Sequence, residues 1–418
     1  MHKRYIQLVT HFTSQGKSTN AMKTPFDNNQ THSHTQAFYR FVNNDNVTIA
    51  ELSKPILENA KSNIAAHCHE YALMVHDWSR IALNHDNKHD KLQMTHHHDV
   101  GYELQSSLVL SDKNGLPIAP IAQNLITAKA QLSTYGNTRK DTHLNELGCR
   151  MQWLETQSFD KPLLHIIDRE ADSAQHMRDW AQAGYRFLVR VKAPNTLTFQ
   201  GENKSTQAIA EEMNYRDYKT IDYKGRYALL KVAESNITLT RKAKPKVNDS
   251  SGKRLKPQTG EPLELRLICT RIEDKEGRLL ASWYLLSNTQ LSAEVLAQYY
   301  HYRWQIESYF KLLKSAGHHM ENWLQQSSEA FFKRALIVAQ SCVLVWQLML
   351  DQSRQAQELK TLLIRLSGRR VKYKRPTTAP ALLDGYMMLL GAYELMQSMT
   401  FEEISEAVQF FQGGVGFV

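Results

Sequence analysis

The chain has 418 residues, a formal charge of +9 from 51 Lys and Arg against 42 Asp and Glu, and an ordinary apolar share of 42%. Such a length can bury a large core and allows roughly two to four domains, while the composition excludes a disordered, collagen-like or disulfide-stapled chain. The excess of cations points to a polyanionic partner, nucleic acid first, although a merely basic soluble protein has the same balance.

Cys68, Cys149, Cys269 and Cys342 stand apart with no CxxC pairing, which fits a reducing cytosol. Met1-His2-Lys3-Arg4 is followed by only a short apolar patch, so no signal peptide is expected there. The longest apolar run, residues 335–350, carries Gln340, Ser341 and Gln347 and reads as a buried helix rather than a membrane span.

Residues 1 to about 60 are polar, and a helix is predicted after Val47, where Thr48 and Glu51 form a capping box. The apolar run at 71–75 reads as a buried strand ending in His76 and Asp77. An acid at the carboxyl end of an inner strand is where a metal ligand can sit, and it is also where a turn residue sits. Asp86, Asp90 and Asp99 are rivals to Asp77, but no predicted strand fixes them. They share a polar stretch with His85, His89, His96, His97 and His98. A transition-metal site there is the alternative to a solvated loop, and the solvated loop is preferred because no Cys or carboxylate stands at ligand spacing.

Residues 104–110 and 116–121 flank Asp112-Lys113-Asn114-Gly115 and predict a hairpin, with a helix to follow around 144–156. The segment KPLLHIIDREADSAQ then gives a buried strand at 163–167, ended by Asp168, with Asp172 or Ser173 opening a helix. Another strand starts near Tyr185. Strand, helix, strand implies a partly parallel sheet, with Asp168 at the carboxyl end of an inner strand. Arg190 and Lys192 close the next strand and could meet phosphate or water alike.

From 194 to 285 turn residues are frequent and five strand-like runs occur, so a β-rich insertion is expected. It contains a basic loop, Arg241 to Lys246 and Lys253 to Lys256, which suits either DNA backbone or solvent. Trp283 lies near its exit. The stretch ending at Lys314 then predicts one long helix, capped by Ser292. Val295, Tyr299, Tyr302, Ile306, Tyr309, Phe310 and Leu313 gather on its buried face. Tyr300, Arg303, Glu307 and Lys314 share a narrow strip beside that face. A carboxylate flanked by cations and a phenol suits a metal ion beside a phosphate; a solvated helix with an Arg303–Glu307 pair is the bland reading. A strongly apolar helix is expected over 328–353, then a basic stretch at 365–375 and short helices.

The spacing Tyr-x2-Arg-x3-Glu-x6-Lys resembles the signature of the family-four (YREK) cut-and-paste group of bacterial insertion-sequence transposases, and all four letters match. Asp168-Arg169-Glu170-Ala171-Asp172 likewise resembles the family's DREAD block, and Tyr39-Arg40-Phe41 with Asn43 its YRF-x-N block. The resemblance runs from about residue 38 to about 350. It implies an α/β fold: an RNase H-like mixed-sheet catalytic core at 66–193 and 286–325, interrupted by the β-rich insertion at 194–285. Helical regions at 1–65 and 326–418 would flank it, the first a DNA-recognition region that is expected to begin part-way in.

By matching position, the resemblance makes Asp77, Asp168 and Glu307 the metal ligands, holding two Mg²⁺ or Mn²⁺ ions. All-oxygen ligation suits those ions. Tyr300, Arg303 and Lys314 would grip DNA phosphates. Trp283 would stack on an unpaired base, a role open to any exposed ring and set against that of a core tryptophan. The implied partners are double-stranded DNA, both the element's terminal inverted repeats and its target, and a second copy of the chain on paired ends, in a bacterial cytoplasm and with no membrane. A truncated or domesticated DNA-binding protein without full transposition activity is the alternative.

Overall fold

The structure is a computed structural model that describes residues 2–14, 28–83, 90–93, 96, 98–138, 141–243, 256–369 and 377–414. His85, Asp86, His89, His97, the heart of the basic loop and residues 370–375 of the second basic stretch lie outside them.

Three helices open the chain, α1 (His2–Ser14), α2 (Asn28–Val42) and α3 (Ile49–His67). The capping box of α3 is formed as its sequence predicts: the Glu51 N–H donates to Thr48 Oγ1 at 3.2 Å, and Glu51 Oε2 accepts the Thr48 N–H at 3.1 Å. Then come β1 (Ala72–Ala82), β2 (Leu92–Gln93), β3 (Val100–Ser111), β4 (Pro117–Ile126) and β5 (Gln131–Ser133), followed by α4 (His143–Glu155). A parallel unit follows, β6 (Leu163–Ile167), α5 (Ala174–Gln182) and β7 (Phe187–Arg190). The next segment supplies β8 (Thr196–Phe199), β9 (Glu202–Ser205), α6 (Thr206–Glu212), β10 (Arg216–Tyr223), β11 (Arg226–Leu239), β12 (Leu263–Glu273) and β13 (Leu279–Ser287).

Among the described residues these strands form a single 13-stranded sheet, ordered β5-β4-β3-β1-β6-β7-β13-β12-β11-β8-β9, with β10 on β11 and β2 on β3. The sheet is mixed. β1 runs parallel to β6 and β6 to β7, while the ladders of β1 with β3 and of β7 with β13 are antiparallel. Ala72 to His76 and all of β6 are buried, because helices and side chains cover both faces of a central parallel pair. The β-rich segment after residue 194 adds its strands to this same sheet, through β13 on β7.

The remaining helices are α7 (Ala293–Tyr302), α8 (Trp304–Lys311), α9 (Ser328–Leu350), α10 (Arg354–Leu366), α11 (Ala379–Ser398) and α12 (Phe401–Gly414). By length and composition α9 could cross a membrane, but 78% of its most apolar window is buried inside the protein. Its buried residues join one core cluster with α3, β1, β4 and α8.

The β3–β4 turn has the expected place and a use. Asp112 accepts the backbone N–H groups of His69, Glu70 and Tyr71 at 2.7, 2.7 and 2.9 Å, fixing the approach to β1. Gly115 sits at φ +73°, and a Cβ there would fall inside the Tyr302 ring at the end of α7. Gly115→Ala combines a disfavoured backbone region with a clash. It should lower unfolding stability by about 2 kcal/mol, read from the urea midpoint at unchanged slope.

Candidate active site

Asp77 and Asp168 are brought together by register. The last parallel pair of β1 with β6 is His76 opposite Ile167, so the next residues leave the pairing side by side. Asp168 ends its strand as predicted, and its Oδ1 accepts the Arg169 N–H at 2.7 Å to cap the 3-10 turn Arg169–Ala171. Asp77 differs from expectation. It is not at a strand end, because β1 continues to Ala82 on its antiparallel ladder with β3 after β6 has stopped. The apolar run ends at Val75 because the parallel neighbour ends, not the strand.

The predicted long helix is broken. α7 stops at Tyr302 and α8 starts at Trp304, with Arg303 between them; after Lys311 the coil widens into a π-helix over Leu312–Ala316, closed by Gly317. Ser292 caps α7 as expected, accepting the Val295 N–H at 3.4 Å. Glu307 keeps its place one turn beyond Arg303. The wider π turn shifts Lys314 off the strip counted on α-helical spacing. Its Nζ donates to the Arg80 carbonyl at 2.7 Å and to Ser79 Oγ at 3.2 Å, and lies 3.7 Å from Glu321.

One guanidinium links the three acids. Arg303 Nη1 donates to Asp77 Oδ2 at 2.9 Å; Nη2 donates to Glu307 Oε1 at 2.7 Å and lies 3.4 Å from Asp168 Oδ2. Its side chain is only 6% exposed, and its Nε–H has no acceptor among the described residues. Tyr300, buried, donates its hydroxyl to Asp168 Oδ1 at 3.1 Å, and Arg190 Nη1 stands 3.5 Å from the same oxygen. Lys192 is exposed just beyond β7. Trp283 is a core residue here. It is 3% exposed and edge-on to Tyr300 at 5.2 Å between ring centres.

The electrostatics are those of carboxylates drawn out of water. Burial raises the Asp77 and Glu307 carboxyls above the usual range, and neighbouring carboxylates add to it; the Arg303 guanidinium beside both does not cancel the effect. Burial pushes Asp168 the same way, but Arg303, the Arg169 amide and Arg190 together hold it below the usual range. Among the described residues no three His, Cys, Asp or Glu side chains already surround a common metal position. The donor set nonetheless fits a hard divalent cation. It consists of carboxylate oxygens alone, all three in reach of one cationic group, with charge left over to neutralise.

Sequence reasoning named Asp172 as one of two possible openers of α5 and gave it no place in the site. Ser173, not Asp172, is the N-cap of α5, and the Asp172 carboxylate is turned inward. Its place in the five-residue word after β6 was visible; its partners, far away in the chain, were not.

The family model for the transposase DDE domain matches residues 71–341, which takes in Asp77, Asp168, Glu307 and Lys314. No curated protein matches the chain. Among solved structures, a piggyBac transposase in a synaptic complex with hairpin DNA aligns over 95% of this chain and 73% of its own, at 8% identity and a TM-score of 0.40. On the match that spans most of its length, and with three acids converging inside that match, the chain belongs to the transposase DDE-domain family.

Proposed function

We propose that the protein cuts DNA at the ends of its own insertion element and joins those ends to target DNA. The observation that carries this reading is the meeting of Asp77, Asp168 and Glu307, from two neighbouring strands and a helix, on one guanidinium. Asp77, Asp168 and Glu307 would hold Mg²⁺ or Mn²⁺. When bound, such ions activate a water or a DNA 3′-hydroxyl and stabilise a leaving 3′ oxygen in an in-line phosphoryl displacement. One site can thus cut and join.

The chain's own groups do the rest. β1 and β6 hold two acids in fixed register, and the first turn of α8 carries the third. Arg190, Lys192, Arg303, Tyr300 and Lys314 supply donors for phosphate oxygens beside the acids. Stacking of Trp283 on an unpaired base belongs to the same reading, and needs its ring uncovered from Tyr300 first. An RNase H-like core made of β4, β3, β1, β6 and β7, a bacterial insertion-sequence origin, the YREK group and a dimer on paired ends complete the proposal. The order and directions of those five strands support its first part.

The test is direct. Linear DNA carrying the inverted repeats that flank the gene, incubated with purified protein and Mg²⁺, should yield ends cut at the repeat boundary and, with target DNA, joined products. Intact DNA over a range of protein and Mg²⁺ or Mn²⁺ concentrations would sink the reading. Lys314→Ala should weaken end complexes in low salt and make the dependence of log K on log salt shallower by about 0.9, one phosphate contact. An unchanged slope would remove Lys314 from the DNA-contacting set.

A further inference from the structure

The side chain of Asp172 is 0% exposed, and the donors it meets come from two distant segments. Its Oδ2 accepts the Lys192 backbone N–H at 2.7 Å and the side-chain amide of Asn195, both in the chain leaving β7. Its Oδ1 takes the guanidinium of Arg241, just past the end of β11. Asp168 ends β6, and the 3-10 turn Arg169–Ala171 leads from it to Asp172. Arg190, two residues before Lys192, faces Asp168 at 3.5 Å. Asp172 therefore closes a loop of structure that contains both Asp168 and Arg190.

A second tie runs beside it. On α5, Arg178 Nη2 donates to the carbonyls of Leu239 and Arg241 at 3.1 and 3.0 Å, and Nε to that of Glu261 at 2.6 Å. The contact is close enough that a Cβ at Gly260 would come within 2.7 Å of Arg178. Arg241 is thus gripped by its side chain and by its carbonyl, from one short turn-and-helix unit. A buried carboxylate with charge-assisted bonds to three donors holds its surroundings far more firmly than a turn of exposed backbone does.

We propose that Asp172 is the positioning residue of the ion site: by clamping the chain after β7 and the end of β11 to the turn after Asp168, it sets where the Asp168 carboxylate stands relative to Arg190. The inference rests on the reading of Asp77, Asp168 and Glu307 as ion ligands. Metal sites tolerate little error in ligand placement, and the groups that orient ligands are worth about 10- to 100-fold in metal affinity.

The experiment uses the full chain and Mn²⁺ alone, without DNA, read as the rise in melting temperature across an Mn²⁺ titration. Asp172→Asn keeps the shape but replaces one acceptor oxygen with an NH₂ group facing donors. It should bind Mn²⁺ about tenfold more weakly than wild type while still melting in one transition. Adding Arg241→Gln to Asp172→Asn gives that NH₂ an acceptor, and the double variant should recover most of the lost affinity. If Asp172→Asn alone proves unstable, Arg241→Gln alone serves, with a loss of Mn²⁺ affinity expected in the same direction. Mn²⁺ affinity equal to wild type in a folded Asp172→Asn or Arg241→Gln protein overturns the proposal. Failure of the underlying reading looks different: wild type and Asp168→Asn would then respond to Mn²⁺ alike.

Discussion

DNA cleavage by Asp168→Asn and by Glu307→Gln should fall by about three orders of magnitude, roughly 4 kcal/mol added to the barrier. Binding of end DNA should stay within about threefold, because the groups assigned to phosphate are untouched. Each substitution removes one carboxylate charge but keeps the side-chain shape. In Asp168→Asn the amide oxygen would still accept the Arg169 N–H that caps the turn, and in Glu307→Gln it would still accept from Arg303. Loss of cutting with end binding kept would therefore support the proposed ion-ligand role rather than misfolding. The measurement is single-turnover cleavage of labelled end DNA beside a gel-shift titration. Cutting at near wild-type rates by both variants would remove the acids from the chemistry.

Arg303→Met is expected to give the largest change in stability. Its guanidinium contacts all three acids, and its loss leaves them facing one another in a poorly hydrated place. Breaking a buried ion pair from one side costs about 3 kcal/mol or more. This deficit should be largest near neutral pH in ion-free buffer.

Its pH dependence has a definite sign. Asp77 and Glu307 already have carboxyls raised above the usual range, so the folded protein holds protons there that the unfolded chain has released. Such groups favour folding most below the ordinary carboxyl range, and the benefit is lost as pH rises through the raised values. Removing Arg303 raises them further. The gap between variant and wild type should open as pH climbs through that window and close toward acid. Asp168, held low largely by Arg303, adds in the same direction: its contribution is present above the ordinary range and is lost as pH falls through its lowered value, and the variant forfeits most of it. Mn²⁺ should restore part of the deficit at neutral pH. Equal denaturation midpoints for the two proteins at neutral pH without ions would show that Arg303 is not the counter-ion of the site.

Much of this site was legible in the sequence because its signals are local. Asp168 follows five apolar-patterned residues and opens a turn, and Arg303 and Glu307 stand four apart; both facts survive folding with little change. What was not legible depended on partners far along the chain. Whether β1 ends at Asp77 is decided by β3, whose ladder carries the strand on to Ala82. The π-helix that redirects Lys314 ends at Gly317, packed against Leu312 and against Leu383 of α11, a neighbour that no spacing rule reaches. The sequence left Trp283 open between an exposed stacking ring and a core residue, because it could not show that Tyr300 and His301 of α7 would cover it. The segment from 194 read as an insertion because its composition changes. That its last strand would zip onto β7 could only come from a pairing such as Leu285 with Arg190.

That last pairing has a consequence for how such a protein can be remodelled. Because β13 completes the ladder of β7, deleting the segment between them would not trim a removable cassette. It would strip the strand that carries Arg190 of one neighbour and leave a row of bare amide and carbonyl groups open to any passing chain. Remodelling is then confined to the outer hairpins of this segment, and the β7–β13 seam has to stay.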